Sequence, residues 1–263
     1  MKGNLQKNSP ARLAWPRLIR GTLIRRYKRF MADVRLANRH TVTAHCPNSG
    51  SMSGCSEPGR PVYLSRHDSP KRRLKYTWEM IEMPGSLVGV NTMIPNRLVA
   101  AAIADGGVPG LSGFDRIRRE VGYGRNSRID ILLEKDETRC FVEVKNCTLV
   151  TDGVARFPDA VTARGLKHLR ELQEEVRSGH RAVMFFLIQR MDARCFRPAD
   201  DIDPAYGAQL RAAVKNGVEI LACDVKLDLD GIELNRPLPC DLSPAPGRGS
   251  TVPKPVRRVR RTG

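Results

Sequence analysis

The sequence has no apolar run near the ~18 residues that a membrane-spanning helix needs, so an integral helical membrane protein is not expected. The N-terminal MKGNLQKNSPARLAWPRLIRG carries basic residues but no apolar segment, and it does not read as a secretory signal. The expected compartment is the cytoplasm, with no membrane partner. Aromatic residues are scarce, at 5%, so the core must be mostly aliphatic. No CxxC pair occurs among the seven cysteines, at 46, 55, 140, 147, 195, 223 and 240. So odd and scattered a set argues against a disulfide framework, and reduced thiols, several of them buried, are expected. A structural zinc site wants four ligands at tight spacing, which His45, Cys46 and Cys55 do not supply. There is no internal repeat. No helix-turn-helix with a readable recognition helix is found, so nothing points to a particular DNA sequence.

What the chain does have is positive charge, placed at its ends. Of the net +17, residues 1–39 hold eleven Lys/Arg against Asp33 alone, and residues 241–263 hold six against Asp241. Residues 40–240 carry 28 basic and 26 acidic residues and are nearly balanced. Charge concentrated in this way favours a polyanion, with nucleic acid the leading partner. An acidic membrane surface is the alternative, but no lipidation motif or amphipathic anchor supports it.

Residues 1–13 read as a loose basic tail. From residue 14 to 85 the pattern is one of short strands at about 17–25, 30–37, 40–46, 61–65 and 76–83, with a Gly/Ser/Pro-dense loop at Pro47–Gly59. Five short strands around one long loop suit a small OB-type barrel, and a compact sandwich would look much the same. Residues 86–240 change character. A helix near 96–103 precedes three strands near 117–123, 127–134 and 139–146. A helix near 163–177, a continuous apolar strand at Arg181–Ile188, a helix near 204–215 and a last strand at Val218–Cys223 follow. The order is that of an α/β domain with a mixed sheet. Residues 241–263 are Pro/Gly/Arg-rich and read as a disordered basic tail.

The chemistry is concentrated in the middle strands. Asp130 interrupts an apolar strand, Ile129-Asp130-Ile131-Leu132-Leu133, where a carboxylate is costly unless paired or metal-bound. Glu143 and Lys145 are two residues apart in the next strand and so project from one face. A turn at Asp136-Glu137-Thr138 folds these strands into a hairpin that can bring Asp130 beside Glu143. Two carboxylates are hard oxygen ligands for Mg²⁺ or Mn²⁺, with the Val144 carbonyl a further candidate ligand, and a lysine can orient water or offset charge at phosphorus. The spacing Asp-x12-Glu-x-Lys matches the PD-(D/E)xK nuclease pattern, although an exposed ion pair on a hairpin would match it too. Candidate nucleic-acid contacts are Arg25, Arg26, Lys28 and Arg29, the loop residues His45, Asn48 and Ser51, the run Lys71-Arg72-Arg73, and Lys167. Gln189 at a strand end is read more simply as an ordinary amide, while for His168 beside Lys167 a phosphate contact and a solvated helix face are equally good readings.

Colinear blocks carry a resemblance. They include Leu23-Ile24-Arg25-Arg26-Tyr27-Lys28-Arg29-Phe30, Ala44-His45-Cys46-Pro47-Asn48-Ser49-Gly50-Ser51-Met52, Lys75-Tyr76-Thr77-Trp78-Glu79 and Val90-Asn91-Thr92-Met93-Ile94-Pro95-Asn96. Further on come Ser127-Arg128-Ile129-Asp130, Val142-Glu143-Val144-Lys145, Phe157-Pro158-Asp159-Ala160-Val161-Thr162, Lys167-His168-Leu169-Arg170-Glu171-Leu172 and Gly217-Val218-Glu219-Ile220-Leu221. Over about 17–240 the chain resembles the sugar fermentation stimulation protein A family of prokaryotes. The resemblance implies an N-terminal OB-like domain, a C-terminal PD-(D/E)xK-like domain, DNA binding, and a role as a regulator of sugar-utilisation genes. It also implies an acid in the helix before the strands, where this chain has Ala101; in related nucleases that acid supports the metal.

Three readings stand at this point: a DNA-binding regulator with a nuclease-like metal site, an active Mg²⁺-dependent DNA nuclease using Asp130, Glu143 and Lys145, and an RNA-binding barrel with an incidental α/β domain. The barrel's few aromatics, chiefly Tyr27, Phe30, Tyr63, Tyr76 and Trp78, place the RNA reading last. If the C-terminal tail touches DNA, deleting 241–263 should flatten the dependence of log K on log salt, by up to about 0.9 for each phosphate that the tail neutralises. Gel-shift titrations across salt check this, and an unchanged slope removes the tail from the interaction.

Overall fold

The computed structural model describes residues 11–244 apart from 125–126. Residues 1–10 and 245–263, most of the two expected tails, lie outside the described residues. Where the tails are described they are tied down. Arg12 and Leu13, expected in the N-terminal tail, form β1 (Arg12–Ala14). Leu242, expected in the C-terminal tail, packs on the core, and its carbonyl accepts from Arg211 Nε at 2.6 Å. The pairing of β1 is with the far end of the chain, and a three-residue strand leaves no local pattern to read.

Five strands then build the barrel: β2 (Leu18–Tyr27), β3 (Met31–Leu36), β4 (Thr41–His45), β5 (Pro61–Arg66) and β6 (Tyr76–Met83). Their order is β4-β3-β2-β5-β6, and a short parallel pairing of β4 with β6, Ala44↔Tyr76 and His45↔Thr77, closes the ring. Closure favours the OB-like barrel over the open sandwich. Bulges in β2 between Leu23 and Arg25, and in the β5–β6 pair at Tyr63/Leu64, supply the curvature. Trp78, Leu23, Val34, Leu64 and Ile81 fill the interior. A hairpin continues the sheet into β7 (Ser86–Gly89), so residues 86–89, expected in the second domain, extend the first.

The second domain begins with α1 (Pro95–Ala104) and three antiparallel strands, β8 (Arg116–Tyr123), β9 (Ser127–Lys135) and β10 (Thr138–Cys147). Next come two short strands, β11 (Leu149–Thr151) and β12 (Val154–Phe157), then α2 (Ala163–Arg177), β13 (Arg181–Ile188), β14 (Cys195–Pro198), α3 (Pro204–Lys215), β15 (Glu219–Leu227) and β16 (Gly231–Pro237). The main sheet runs β1-β16-β15-β13-β10-β9-β8, with β10, β13 and β15 parallel. Val183, Phe185 and Leu187 of β13 face one core, while Ala182, Met184, Phe186 and Ile188 face the other. That two-sided burial explains the unbroken apolar run. α1 packs on the first face, together with Tyr63 and Met80 of the barrel, so the two domains share a core. α2 and α3 cover the second face. The small sheet β11-β12-β14 has no counterpart in the elements expected from the sequence, because its strands are too short to show a period.

All seven cysteines are free thiols, five of them buried. Gly21 marks the tightest point of the barrel wall. A Cβ placed there would lie 2.4 Å from Val34 Cγ1 and 3.0 Å from the Arg35 carbonyl. Gly21→Ala should therefore destabilise the protein by about 1–3 kcal/mol through overpacking, measured by chemical denaturation; wild-type stability would contradict this packing.

Candidate metal and phosphate site

The hairpin β9–β10 is regular only up to the pair Val142↔Ile131. Beyond it the two strands part, and a carboxylate fills the gap. Val144 N–H donates to Asp130 Oδ2 at 2.8 Å, so the side chain stands in for a strand carbonyl. Asn96 Nδ2, in the first turn of α1, donates to Asp130 Oδ1 at 2.8 Å and to Glu120 Oε1 at 3.1 Å. Glu120 has φ +55, a left-handed conformation that costs a non-glycine residue roughly 1–3 kcal/mol and tends to mark functional positions.

On the α2 side, Glu143 is almost fully buried, at 2%. Its Oε1 accepts from Lys145 Nζ at 2.5 Å and from His168 Nδ1. Arg164 Nε donates to His168 Nε2 at 3.3 Å, which leaves Nδ1 to carry the proton offered to Glu143. Glu143 Oε2 is buried and has no partner among the described residues. His168 is therefore no solvated residue of a helix face; it is 4% exposed and braces the glutamate. The helix that carries it is set by Thr162, whose hydroxyl caps Gly165 N at 3.0 Å, and by Leu169 and Leu172 in the core.

The two carboxylates differ electrostatically. Burial, and then the charge of Glu143, push Asp130 up to about 6. Burial also opposes ionisation of Glu143, but Lys145 and His168 outweigh it and hold the group below the ordinary range. Beside them opens a cleft of about 630 Å³ lined by Glu120, Ser127, Arg128, Arg164, Lys167 and His168. Its rim is basic, as a phosphate-binding surface should be. Among the described residues no three His, Cys, Asp or Glu side chains form a ready-made metal cluster. The donor set is two carboxylates, one of them with an unused buried oxygen. That set suits a hard divalent cation, with water and phosphate completing its shell.

Of the residues expected from the sequence, Asp130, Glu143 and Lys145 come together, and Lys167 lines the adjoining cleft while pairing with Glu171 at 3.6 Å. The Val144 amide is bonded to Asp130 and its side chain lies in the α1-side core. The departure at Ala101 stands: α1 presents Asn96, a neutral amide, to Asp130 and carries no acid. The barrel residues divide. Arg26 reaches inward, donating to the carbonyls of Arg29, Asn48, Gly50 and Ser51. Asn48 is buried on Val90, and Ser51 Oγ donates to the Asp159 carbonyl at 2.6 Å. These three build and dock the loop. Arg25 is paired with Asp33 at 2.9 Å and lies over the Tyr27 ring. Lys28 and Arg29 form an exposed turn with φ +47 and +64. Lys71 and Arg73 are exposed on the β5–β6 loop, whereas His45 and Arg72 line a separate pocket. Gln189 is fully buried, donating to Asn146 Oδ1 at 2.7 Å.

Asn96, Glu120, Arg128 and Arg164 join the site without having stood out in the sequence. Arg164 and His168 have the four-residue spacing of one helix face, a signal that is present there; the turn of Glu120 leaves none.

A raised Asp130 pKa has a stability consequence. The folded state holds its proton up to about pH 6, while the unfolded carboxyl loses it near 3.8. The cost is absent below pH 4, grows between the two values and is complete above pH 6, at about 3 kcal/mol. In chelator, Asp130→Asn should be more stable than wild type at pH 7 by about 1–2 kcal/mol, the lost acceptor offsetting part of the gain. The difference should vanish or reverse at pH 4. Denaturant titrations at both pH values check this, and a pH-independent difference would contradict it.

Known proteins share both halves of this architecture. The family described as "Sugar fermentation stimulation protein RE domain" matches residues 93–231, and "SfsA N-terminal OB domain" matches residues 24–90. A sugar fermentation stimulation protein homolog of Geotalea uraniireducens is 57% identical over 82% of this chain and 94% of its own length. One from Geobacter sulfurreducens is 58% identical over 84% and 95%. The solved structure of Pyrococcus furiosus SfsA in complex with Ca²⁺ superposes with a TM-score of 0.81 at 27% identity, covering 87% of this chain and 98% of that one. An OB-like barrel joined to a PD-(D/E)xK-like domain, matched over both parts, makes this chain a member of the sugar fermentation stimulation protein family.

Proposed function

We propose that this protein is a DNA-binding phosphodiesterase, in which Asp130 and Glu143 hold Mg²⁺ or Mn²⁺ and Lys145 assists attack on a phosphodiester bond. The observation that carries the reading is the buried, unpartnered Oε2 of Glu143 beside an Asp130 whose pKa is raised to about 6. A fold meeting only structural needs would not bury two carboxylates together at such cost. A bound cation would relieve their repulsion, polarise the phosphate and acidify a coordinated water. The Ca²⁺ in the related Pyrococcus furiosus structure supports a hard divalent ion in this family.

The residues of the chain then take distinct roles. Lys145 offsets charge gathering on the phosphate oxygens and orients the attacking water. His168 keeps Glu143 ionised and in place. Asn96 fixes the rotation of the Asp130 carboxyl. Arg128, Arg164 and Lys167 receive the flanking phosphates, which carry no sequence information and fit a partner bound with little sequence preference. The exposed Arg25, Lys28, Arg29, Lys71 and Arg73 of the barrel extend the basic surface for DNA. The protein would act in the cytoplasm.

A second reading is favoured by one observation: Glu143 Oε1 is already held by both Lys145 and His168. A DNA-binding regulator of sugar-utilisation genes could keep this closed triad without turnover.

Purified protein with Mg²⁺ or Mn²⁺ should nick plasmid or degrade single strands. Asp130→Ala and Lys145→Ala should each lower the rate by roughly 10³-fold, the loss of several kcal/mol of transition-state stabilisation. Wild type and variants that are all inert, yet all shift DNA in a gel, would establish the regulator reading instead.

A further inference from the structure

A second pocket, of about 400 Å³, lies where the two domains meet, on the other side of the first turn of α1. The segment Ala14–Pro16, joining β1 to the barrel, forms one wall. Trp15 is half-buried there, its ring held by Nε1–H donation to the Asp228 carbonyl at 2.9 Å. Met93, 68% exposed, adds a second apolar surface. The polar lining is mainly basic in residue type, with Glu79 its one acid. It includes His45 from β4, His67 and Arg72 from the β5–β6 loop, and Arg97 from α1.

The two arginines are poorly matched with acids. Arg72 donates to Thr77 Oγ1 at 3.0 Å. Arg97 has no hydrogen bond or ion pair among the described residues. Burial, and then the charge of Arg72, push the His45 pKa down, so this ring is neutral at pH 7 and the positive charge of the pocket rests on Arg72 and Arg97. The acid in the lining, Glu79, has both oxygens engaged, accepting from Ser65 Oγ at 2.5 Å and Asn91 Nδ2 at 2.7 Å. α1 adds the positive end of its dipole, and no side chain caps its N-terminus. An apolar floor with one fixed indole, beside a rim of two arginines and two histidines, has the chemistry of a nucleotide: a ring to stack and a phosphate to neutralise. Pockets of this size at domain junctions commonly hold small ligands.

We propose that this pocket binds one nucleotide unit, its base against Trp15 and Met93 and its phosphate at Arg72 and Arg97. Two sources share that chemistry, a free nucleotide and the phosphorylated end of a strand. The strand-end form rests on the nuclease reading. It is attractive because Arg97 in the pocket and Asn96 on Asp130 are consecutive residues of α1, so an end held in the pocket would set which bond reaches the carboxylates. Binding of a free nucleotide does not depend on that reading.

Fluorescence can test the proposal in chelator, without turnover. Trp78, the other tryptophan, is fully buried in the barrel, so quenching by an added nucleotide reports Trp15. Deoxyadenosine monophosphate should quench saturably at micromolar to millimolar concentrations, and deoxyadenosine, lacking the phosphate, at least tenfold more weakly. Arg72→Gln and Arg97→Gln should each weaken binding at least tenfold, with unfolding curves confirming that the variants are folded. Trp15→Phe should lose the signal but keep binding by calorimetry. A 5′-phosphorylated oligonucleotide that binds tighter than the mononucleotide, and tighter than its unphosphorylated form, identifies a strand end; equal affinity for the mononucleotide identifies a free nucleotide. Absence of saturable binding by deoxyadenosine monophosphate at millimolar concentration, or wild-type affinity in both arginine variants, overturns the proposal. Normal nucleotide binding in a protein that cleaves nothing would leave the pocket in place and remove only the nuclease reading.

Discussion

The hydrogen bond from Val144 N–H to Asp130 Oδ2 is the constraint around which the second domain is arranged. A strand pair that stayed zipped would pair backbone with backbone at this level and set Asp130 directly opposite Glu143. Instead the ladder ends at Val142↔Ile131, and the carboxylate is drawn into the seam. There it lies close enough to Glu143 for that charge to raise its pKa. Asn96, Lys145, His168 and Arg164 are consequences of that choice: each either satisfies an oxygen or compensates a charge that the parting of β9 and β10 has buried. The chain thus maintains at its centre an arrangement that is unfavourable in isolation, and under the proposed function a divalent cation and a phosphate would offset its cost.

The barrel is built into the same arrangement. Tyr63 and Met80 contribute to the core on which α1 packs, and α1 carries Asn96 to the carboxylates and Arg97 to the junction pocket. β1 and β16 join residues near the two ends of the described chain into one sheet edge. The Pro47–Gly59 loop docks on Asp159, which accepts from Met52 N at 2.9 Å. A nucleic-acid strand lying on the barrel would therefore lie on a surface fixed relative to the cleft, with no flexible linker to average over.

Much of this was legible in the sequence because it is local. Alternation gave β4, helical spacing of Leu166, Leu169, Leu172 and Val176 gave α2, and the apolar run gave β13 with both faces buried. Asp130 was conspicuous as a charge in an apolar strand, and Glu143 and Lys145 by their two-residue spacing. The rest was long-range. Arg26 has the composition of a DNA-contacting residue, and only the fold shows its guanidinium turned onto four loop carbonyls. His168 looks like a surface histidine until α2 is laid across β10. The supporting position in α1 was expected at Ala101, but five residues earlier the helix points Asn96 at Asp130; five residues are one turn and roughly 140° more, so the two positions lie on different faces, and the sequence carries no mark of which face meets the site.

The central claim is that Asp130 and Glu143 form a divalent-cation site. The most direct measurement is a crystal soaked in Mn²⁺ and examined by anomalous scattering. The account predicts a peak about 2.0–2.6 Å from an oxygen of each carboxylate, with Lys145 moved off Glu143. A protein that shows no peak there, with Lys145 and His168 still closed on Glu143 at saturating Mn²⁺, would contradict it.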